Sequence, residues 1–189
     1  MGEDSINLIV VALFQNHHGY ERLIEGMGDY YSKDNQPKRD VKLHMVGYGP
    51  EEGLYREKCD QYGVSERVIF HGKKAGSELD DIYNKADMAV TSLGMYKIGH
   101  KRGDFLKTGE YMAKGLPIVT GCPINSLDSD YRYYLEFPND NTPIDIDRVI
   151  EFYDSIKDDS DLAETIRKYG EDKYDICKKM EPIVNYFKQ

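Results

Sequence analysis

Ile6–Phe14, INLIVVALF, is apolar almost without interruption. A strand with one wet face alternates apolar and polar residues; a run this dry fits a strand covered on both faces, as in a parallel sheet. The same grammar repeats along the chain. VKLHMV (41–46), RVIFH (67–71), the run from Met88 to Leu93 and Pro117–Gly121 read as further strands, and Tyr131–Phe137 as a sixth short one. Between them apolar residues recur at helical spacing: Tyr20, Leu23, Ile24, Met27 and Tyr31, in a helix broken near Asn35 and Pro37; then Glu51–Tyr62, ended by Gly63; then Leu79, Ile82, Tyr83 and Ala86 behind a Ser77 cap. Three helices close the chain, over Asp145–Ile156, from a Ser160 cap through Tyr169, and along Ile176, Met180, Ile183, Val184 and Phe187. Strands alternating with helices predict right-handed βαβ units and a doubly wound, Rossmann-like parallel α/β sheet.

The length of 189 residues suits one domain, 1–189. A net charge of −9 argues against a nucleic-acid or anionic-membrane partner, because a phosphate backbone needs a basic face. Cys59, Cys122 and Cys177 are far apart with no CxxC, so neither a zinc site nor a disulfide framework is indicated and a reducing, cytoplasmic setting is expected. No apolar run approaches the roughly 20 residues of a transmembrane helix. Strand-like residues begin abruptly at Ile6, which suggests one domain cut from a longer protein.

In such sheets ligands bind beyond the carboxyl ends of the strands. Those ends are Gln15–Gly19, Gly47–Pro50, Gly72–Lys74, Leu93–Lys107 and Gly121–Asn125. The richest is SLGMYKIGHKRGDFLKTGEYMAKGLPIV (92–119), a loop loosened by Gly94, Gly99 and Gly103 and charged by Lys97, His100, Lys101 and Arg102. A helix predicted to start near Phe105 or Leu106 opens its unpaired amides onto that loop, a ready anion site. Lys107 and Glu110, three apart, point to nearly one side. One can meet a phosphate while the other accepts from sugar hydroxyls, which predicts a nucleotide site. Gly47 and Gly49 form a turn or allow close backbone approach to a ligand. His17 and His18 have no Cys, Asp or Glu at ligand spacing, so no metal is assigned. His44, His71, Cys59 and Cys177 are read as structural.

These pieces resemble a known family. VALFQNHHGYERLIEG, HMVGYGPEE, VIFHGKKAGSELDDIYNKADMAVTSLG and LKTGEYMAKGLPIV match, in order, the donor-binding half of family 4 glycosyltransferases of the GT-B fold. The resemblance covers Ile6–Val119 and one of the family's two domains. It implies a retaining transferase that moves a sugar from a UDP- or GDP-sugar to a glycan or lipid-linked acceptor, in polysaccharide or glycolipid biosynthesis. No metal or other cofactor is required. The acceptor site would lie on an N-terminal half preceding Ile6, to which residues 175–189 would cross. Through that half the enzyme would sit peripherally at the inner membrane face, and this chain alone would be inactive.

Carried over by residue, Glu110 binds the ribose with Gly72 and Lys73 near the base. Lys107, the Leu106–Thr108 amides, His18 and Arg102 meet the diphosphate, and Gly47, Gly49 and Gly94 shape the turns. No catalytic residue is assigned. Two departures stand out: FQNHHG lacks the family's arginine, and Arg102 occupies the place of the acid that contacts the donor sugar, with Asp104 as a substitute. Two alternatives stand beside this reading. A sugar-nucleotide epimerase of the same architecture needs an acid/base pair that is not evident. A flavodoxin- or receiver-like binding module would, as a receiver, need acids where FQNHHG lies.

Overall fold

In the computed structural model six strands, β1 (Ser5–Leu13), β2 (Asp40–Tyr48), β3 (Val68–Gly72), β4 (Met88–Val90), β5 (Ile118–Thr120) and β6 (Tyr134–Glu136), form one sheet. Helices α1 (Glu21–Tyr31), α2 (Glu52–Gln61), α3 (Ser77–Tyr83) and α4 (Leu106–Ala113) alternate with them, and α5 (Ile146–Ile156), α6 (Leu162–Tyr174) and α7 (Ile176–Phe187) follow. The strand order is β3-β2-β1-β4-β5-β6 and every pairing is parallel. This is the Rossmann order, whose direction reverses between β1 and β4. The structure describes residues 5–33 and 37–187, without the side chains of 177–179 and 181–183. Asn35 and the Cys177 and Ile183 side chains therefore lie outside the described residues.

The dry sequence of β1 is explained by two cores. Ile6, Leu8 and Val10 pack with Leu23, Ile24 and Met27 of α1 and Val149 and Ile150 of α5. Ile9 faces the other way, toward Ile82 and Tyr83 of α3 and Tyr111 and Met112 of α4. Leu8, Ile9 and Val10 are therefore buried whichever way they point, while Leu13 at the end of the strand is 50% exposed.

β1 and β4 are in register only over Leu8–Met88 and Ile9–Ala89 and then part. Parting leaves ladder groups without a neighbour, and Tyr111 fills the gap. Its buried hydroxyl accepts from the Val11 amide at 3.0 Å and donates to the Val90 carbonyl at 3.4 Å. One tyrosine thus satisfies both edges of the split and fixes α4 directly beneath the switch point.

Two expected caps are corrected. Gly76 at φ 57 leads into α3, so Ser77 is already its first residue and makes no cap bond. At α6 the flanking residue is Asp161, and the Asp159 carboxylate accepts from its amide at 3.2 Å, which leaves Ser160 outside. The start of α4 after Phe105 matches the sequence pattern, and α5 begins at Ile146 behind an Asp145 cap that accepts from the Asp147 amide, a cap not read from the sequence.

Candidate functional site

The crevice above the β1–β4 split is walled by two loops. After β1 a 3-10 turn over Asn16–His18 ends at Gly19, φ 63; after β4 a second covers Met95–Ile98. The loops are stapled by Leu93 N–H donating to His18 C=O at 2.7 Å. A Cβ on Gly19 would lie 2.5 Å from Gly94 N, so the two glycines face each other. Gly94 is therefore required by loop-on-loop packing. Gly47 has the same kind of reason: a Cβ there would meet Ala12 O at 1.8 Å, and one on Gly49 would meet Phe14 O at 2.4 Å. The close approach that these glycines permit is to the chain's own backbone.

Two side chains missed by sequence reasoning hold the second loop. Arg22, 1% exposed, donates from Nη1 to Leu93 O, from Nε to Thr142 O at 2.7 Å and from Nη2 to Pro138 O at 3.0 Å. Asn139 accepts from the Tyr96 amide at 2.9 Å and donates to His100 O at 2.7 Å. Lys97 of this loop is not free for a ligand, being paired with Glu21 of α1.

Lys107 leaves the first turn of α4 and lies over Tyr20, its Nζ 3.1 Å from the phenol oxygen. Desolvation brings its ammonium down to about 8 although Glu110 pulls it up. His18 stacks on the other ring contact of Tyr20, at 5.4 Å and 4°. Its Nδ1 accepts from the Gln15 amide at 3.1 Å, which puts the ring proton on Nε2. Burial, Lys107 and His17 push His18 down to about 3, against a raising contact from the Leu13 backbone. His18 thus brings a neutral N–H to the unliganded site, where the resemblance implies a charge. His17 is also lowered, by burial, Lys107 and His100. Lys107 thus disfavours charge on both histidines, an arrangement that a bound anion would relieve.

The helix end contributes as well. Thr108 N–H is taken by Phe105 C=O at 2.9 Å, so of the three expected amides only those of Leu106 and Lys107 remain. Thr108 is buried, whereas the Leu106 side chain is 92% exposed. Glu110 is exposed on the crest of α4, one residue before the Tyr111 anchor, and its field reaches Lys107 and Tyr83. Arg102 is exposed in the loop, while Asp104 accepts from Ser126 N at 2.9 Å and so braces two loops. Beyond β2 and β3 a cleft of about 330 Å³ is lined by Ala12, Leu13, Gly47, Tyr48, Lys73 and Lys74. Gly72, φ 66, turns the chain into it.

A larger cleft of about 740 Å³ opens on the far side of α4, against α6. Its one cation, Arg167, faces Asp104, Glu110, Glu171 and Asp175, so it repels a diphosphate. The larger volume and the Lys107 ammonium thus lie apart, since Lys107 does not line this cleft. Among the described residues no group of three or more His, Cys, Asp or Glu could hold a metal, and no helix is long and apolar enough to cross a membrane.

His18 and His44 also set acid stability. His44 Nδ1 lies 2.9 Å from His71 Nε2, and burial, His71, Lys42 and Lys85 lower it to about 4. Both folded-state values fall below the ordinary 6.5, so the stabilisation is complete above that pH and is lost on descent toward 4 and 3. Each ring should remove up to about 1.4 kcal/mol per pH unit in that window. Urea unfolding at pH 7 and 5 should show the decline, and His18→Gln should flatten it; equal stabilities at the two pH values would contradict it.

Comparison with known proteins adds a family and a fold. The family model "Glycosyl transferases group 1" matches residues 5–129. An uncharacterized glycosyltransferase of Methanocaldococcus jannaschii is 27% identical over 117 residues, 62% of this chain and 27% of that protein. Among solved structures, Anabaena HepE in complex with UDP has a TM-score of 0.72 at 14% identity, over 98% of this chain and 49% of its own. WaaG, a glycosyltransferase involved in lipopolysaccharide biosynthesis, has 0.70 at 17% identity, over 97% and 48%. A glycosyltransferase from Rickettsia africae has 0.71 at 14%, over 100% and 48%. The chain thus spans about half the length of these structures and about a quarter of that relative. With a family model matched from β1 through β5 and a GT-B-type sheet beneath it, the chain belongs to the group 1 glycosyl transferases.

Proposed function

We propose that this chain is the donor-binding half of a retaining glycosyltransferase that uses a UDP- or GDP-sugar and a glycan or lipid-linked acceptor. The observation that carries it is the convergence of Lys107, His17, His18 and two open α4 amides on the switch-point crevice. The diphosphate lies at the start of α4, the ribose hydroxyls donate to Glu110, and the base extends toward Gly72 and Lys73. As the bond from sugar carbon to phosphate oxygen breaks, negative charge grows on the departing nucleoside diphosphate. Lys107 and the amides of Leu106 and Lys107 are already oriented toward that charge, and preorganised donors of this kind lower the barrier. HepE and its UDP supply a precedent in a fold relative.

The acceptor belongs to a second domain, and its hydroxyl must come within about 3–3.5 Å of the sugar carbon as a cleft closes. The apolar stripe of α7 supports that partner half: Ile176 is 67% exposed and Phe187 80%. Incubated with radiolabelled UDP- and GDP-sugars and a panel of glycan and lipid-linked acceptors, residues 1–189 should bind donor weakly and transfer nothing, with slow hydrolysis at most. Efficient transfer by this chain alone would place the acceptor site within it and overturn the two-domain reading.

A further inference from the structure

Resting on that donor-site reading, we propose that His17 is a second ligand of the diphosphate, one that takes up a proton as the dianion binds, with His100 beside it. The geometry is a row of rings. His17 lies against His18 at 4.6 Å and 47°, His18 stacks on Tyr20, and the Tyr20 hydroxyl is 3.1 Å from Lys107 Nζ. Successive contacts through His18 and Tyr20 thus link His17 to Lys107, and Lys107 acts directly on His17 as well.

The half-buried ring of His17 has no hydrogen-bond or carboxylate partner among the described residues. Among the described residues the charged or titratable groups acting on it are basic: Lys107 from α4 and His100 from the loop after β4, with His18 against it on its own turn. The nearest acid in sequence, Glu21 of α1, is already held by Lys97. The two histidines differ in what they can do. His18 is locked as an acceptor on the Gln15 amide, so protonation would break that bond. His17 has no such lock.

In the empty site burial, Lys107 and His100 keep His17 below its ordinary value. A bound dianion reverses that balance, so the imidazole nitrogen takes one proton from solvent and becomes a cationic donor to a phosphate oxygen. Stronger binding of the protonated form means that affinity rises as pH falls, by at most about tenfold per pH unit for one proton. Lys107, lowered only to about 8, is already charged below pH 7 and does not contribute in that range.

Calorimetric titration of the 189-residue chain with UDP-glucose and GDP-mannose tests this at pH 6.0, 6.5 and 7.0, in two buffers of different ionisation enthalpy. The phosphodiesters of a sugar nucleotide do not titrate in this range, so any protons counted are the protein's. The expected result is uptake of a large fraction of a proton, with affinity rising roughly three- to tenfold from pH 7 to 6. His17→Gln should abolish most of the uptake and flatten the profile, and His100→Gln should change it less. Thermal unfolding of both variants at pH 7.5 checks that they are folded. Binding with no proton uptake, or with uptake unchanged in His17→Gln, would overturn the proposal while leaving the donor site standing. Absence of binding to either sugar nucleotide at every pH would overturn the donor-site reading and this inference with it.

Discussion

Arg22→Met should cost about 3–5 kcal/mol of folding stability, because it leaves backbone carbonyls without their donor at about 1–3 kcal/mol for each one buried. Three carbonyls, of Leu93, Pro138 and Thr142, lose their charged donor at once, and Asp140 loses a cation 3.6 Å away. Methionine fills much of the volume but leaves those oxygens unpaired, and each charge-assisted bond is worth about 1.5–3 kcal/mol. Because the three carbonyls belong to the loops after β4 and β6, the crevice wall should loosen as well. Urea unfolding measures the loss. Arg56→Met is the control: Arg56 is exposed and pairs with Glu52 one turn away, a contact worth a few tenths of a kcal/mol. Similar losses for the two variants would deny Arg22 its role as the peg of the loops.

The second large effect is expected on ligand affinity. Glu110→Ala should weaken UDP or GDP binding by about 1.5–3 kcal/mol for each charged hydrogen bond to the ribose, and two bonds make that roughly 10²- to 10⁴-fold. Lys107→Met should cost about 1.5–3 kcal/mol through the diphosphate. Folding should differ between them. Glu110 is exposed and its removal should be near neutral, whereas Lys107 is half-buried against Tyr20 and methionine keeps that packing. Unchanged affinity in Glu110→Ala would return that residue to the ordinary surface.

Much of this was legible in the chain because the signals are local. The dryness of INLIVVALF implied two covered faces, and β1 has them. The helix start after Phe105 and the spacing of Lys107 and Glu110 followed from turn chemistry and helical period, and α4 begins where they placed it. Less legible were contacts whose partners are far apart in sequence. Nothing near Tyr111 announces that its hydroxyl closes a gap between strands, and Arg22, one step from Leu23 on an amphipathic pattern, reads as a surface residue although it is 1% exposed. Gly47 was read as a turn former or a point of close approach to a ligand and Gly94 as loosening its loop; what a side chain there would meet is Ala12 O and Gly19. His17 and His18 look alike in sequence; only the Gln15 amide, which claims one ring and leaves the other, tells them apart.

The central claim is that a nucleoside diphosphate lies at the start of α4, and a crystal structure of the chain with UDP or GDP tests it most directly. The account predicts phosphate oxygens within hydrogen-bond reach of Lys107 Nζ and the Leu106 and Lys107 amides, the ribose on Glu110, and the base toward Gly72 and Lys73. A diphosphate seated away from Lys107, beside Glu171 and Asp175 between α4 and α6, or at the amino-terminal edge of the sheet, would contradict it.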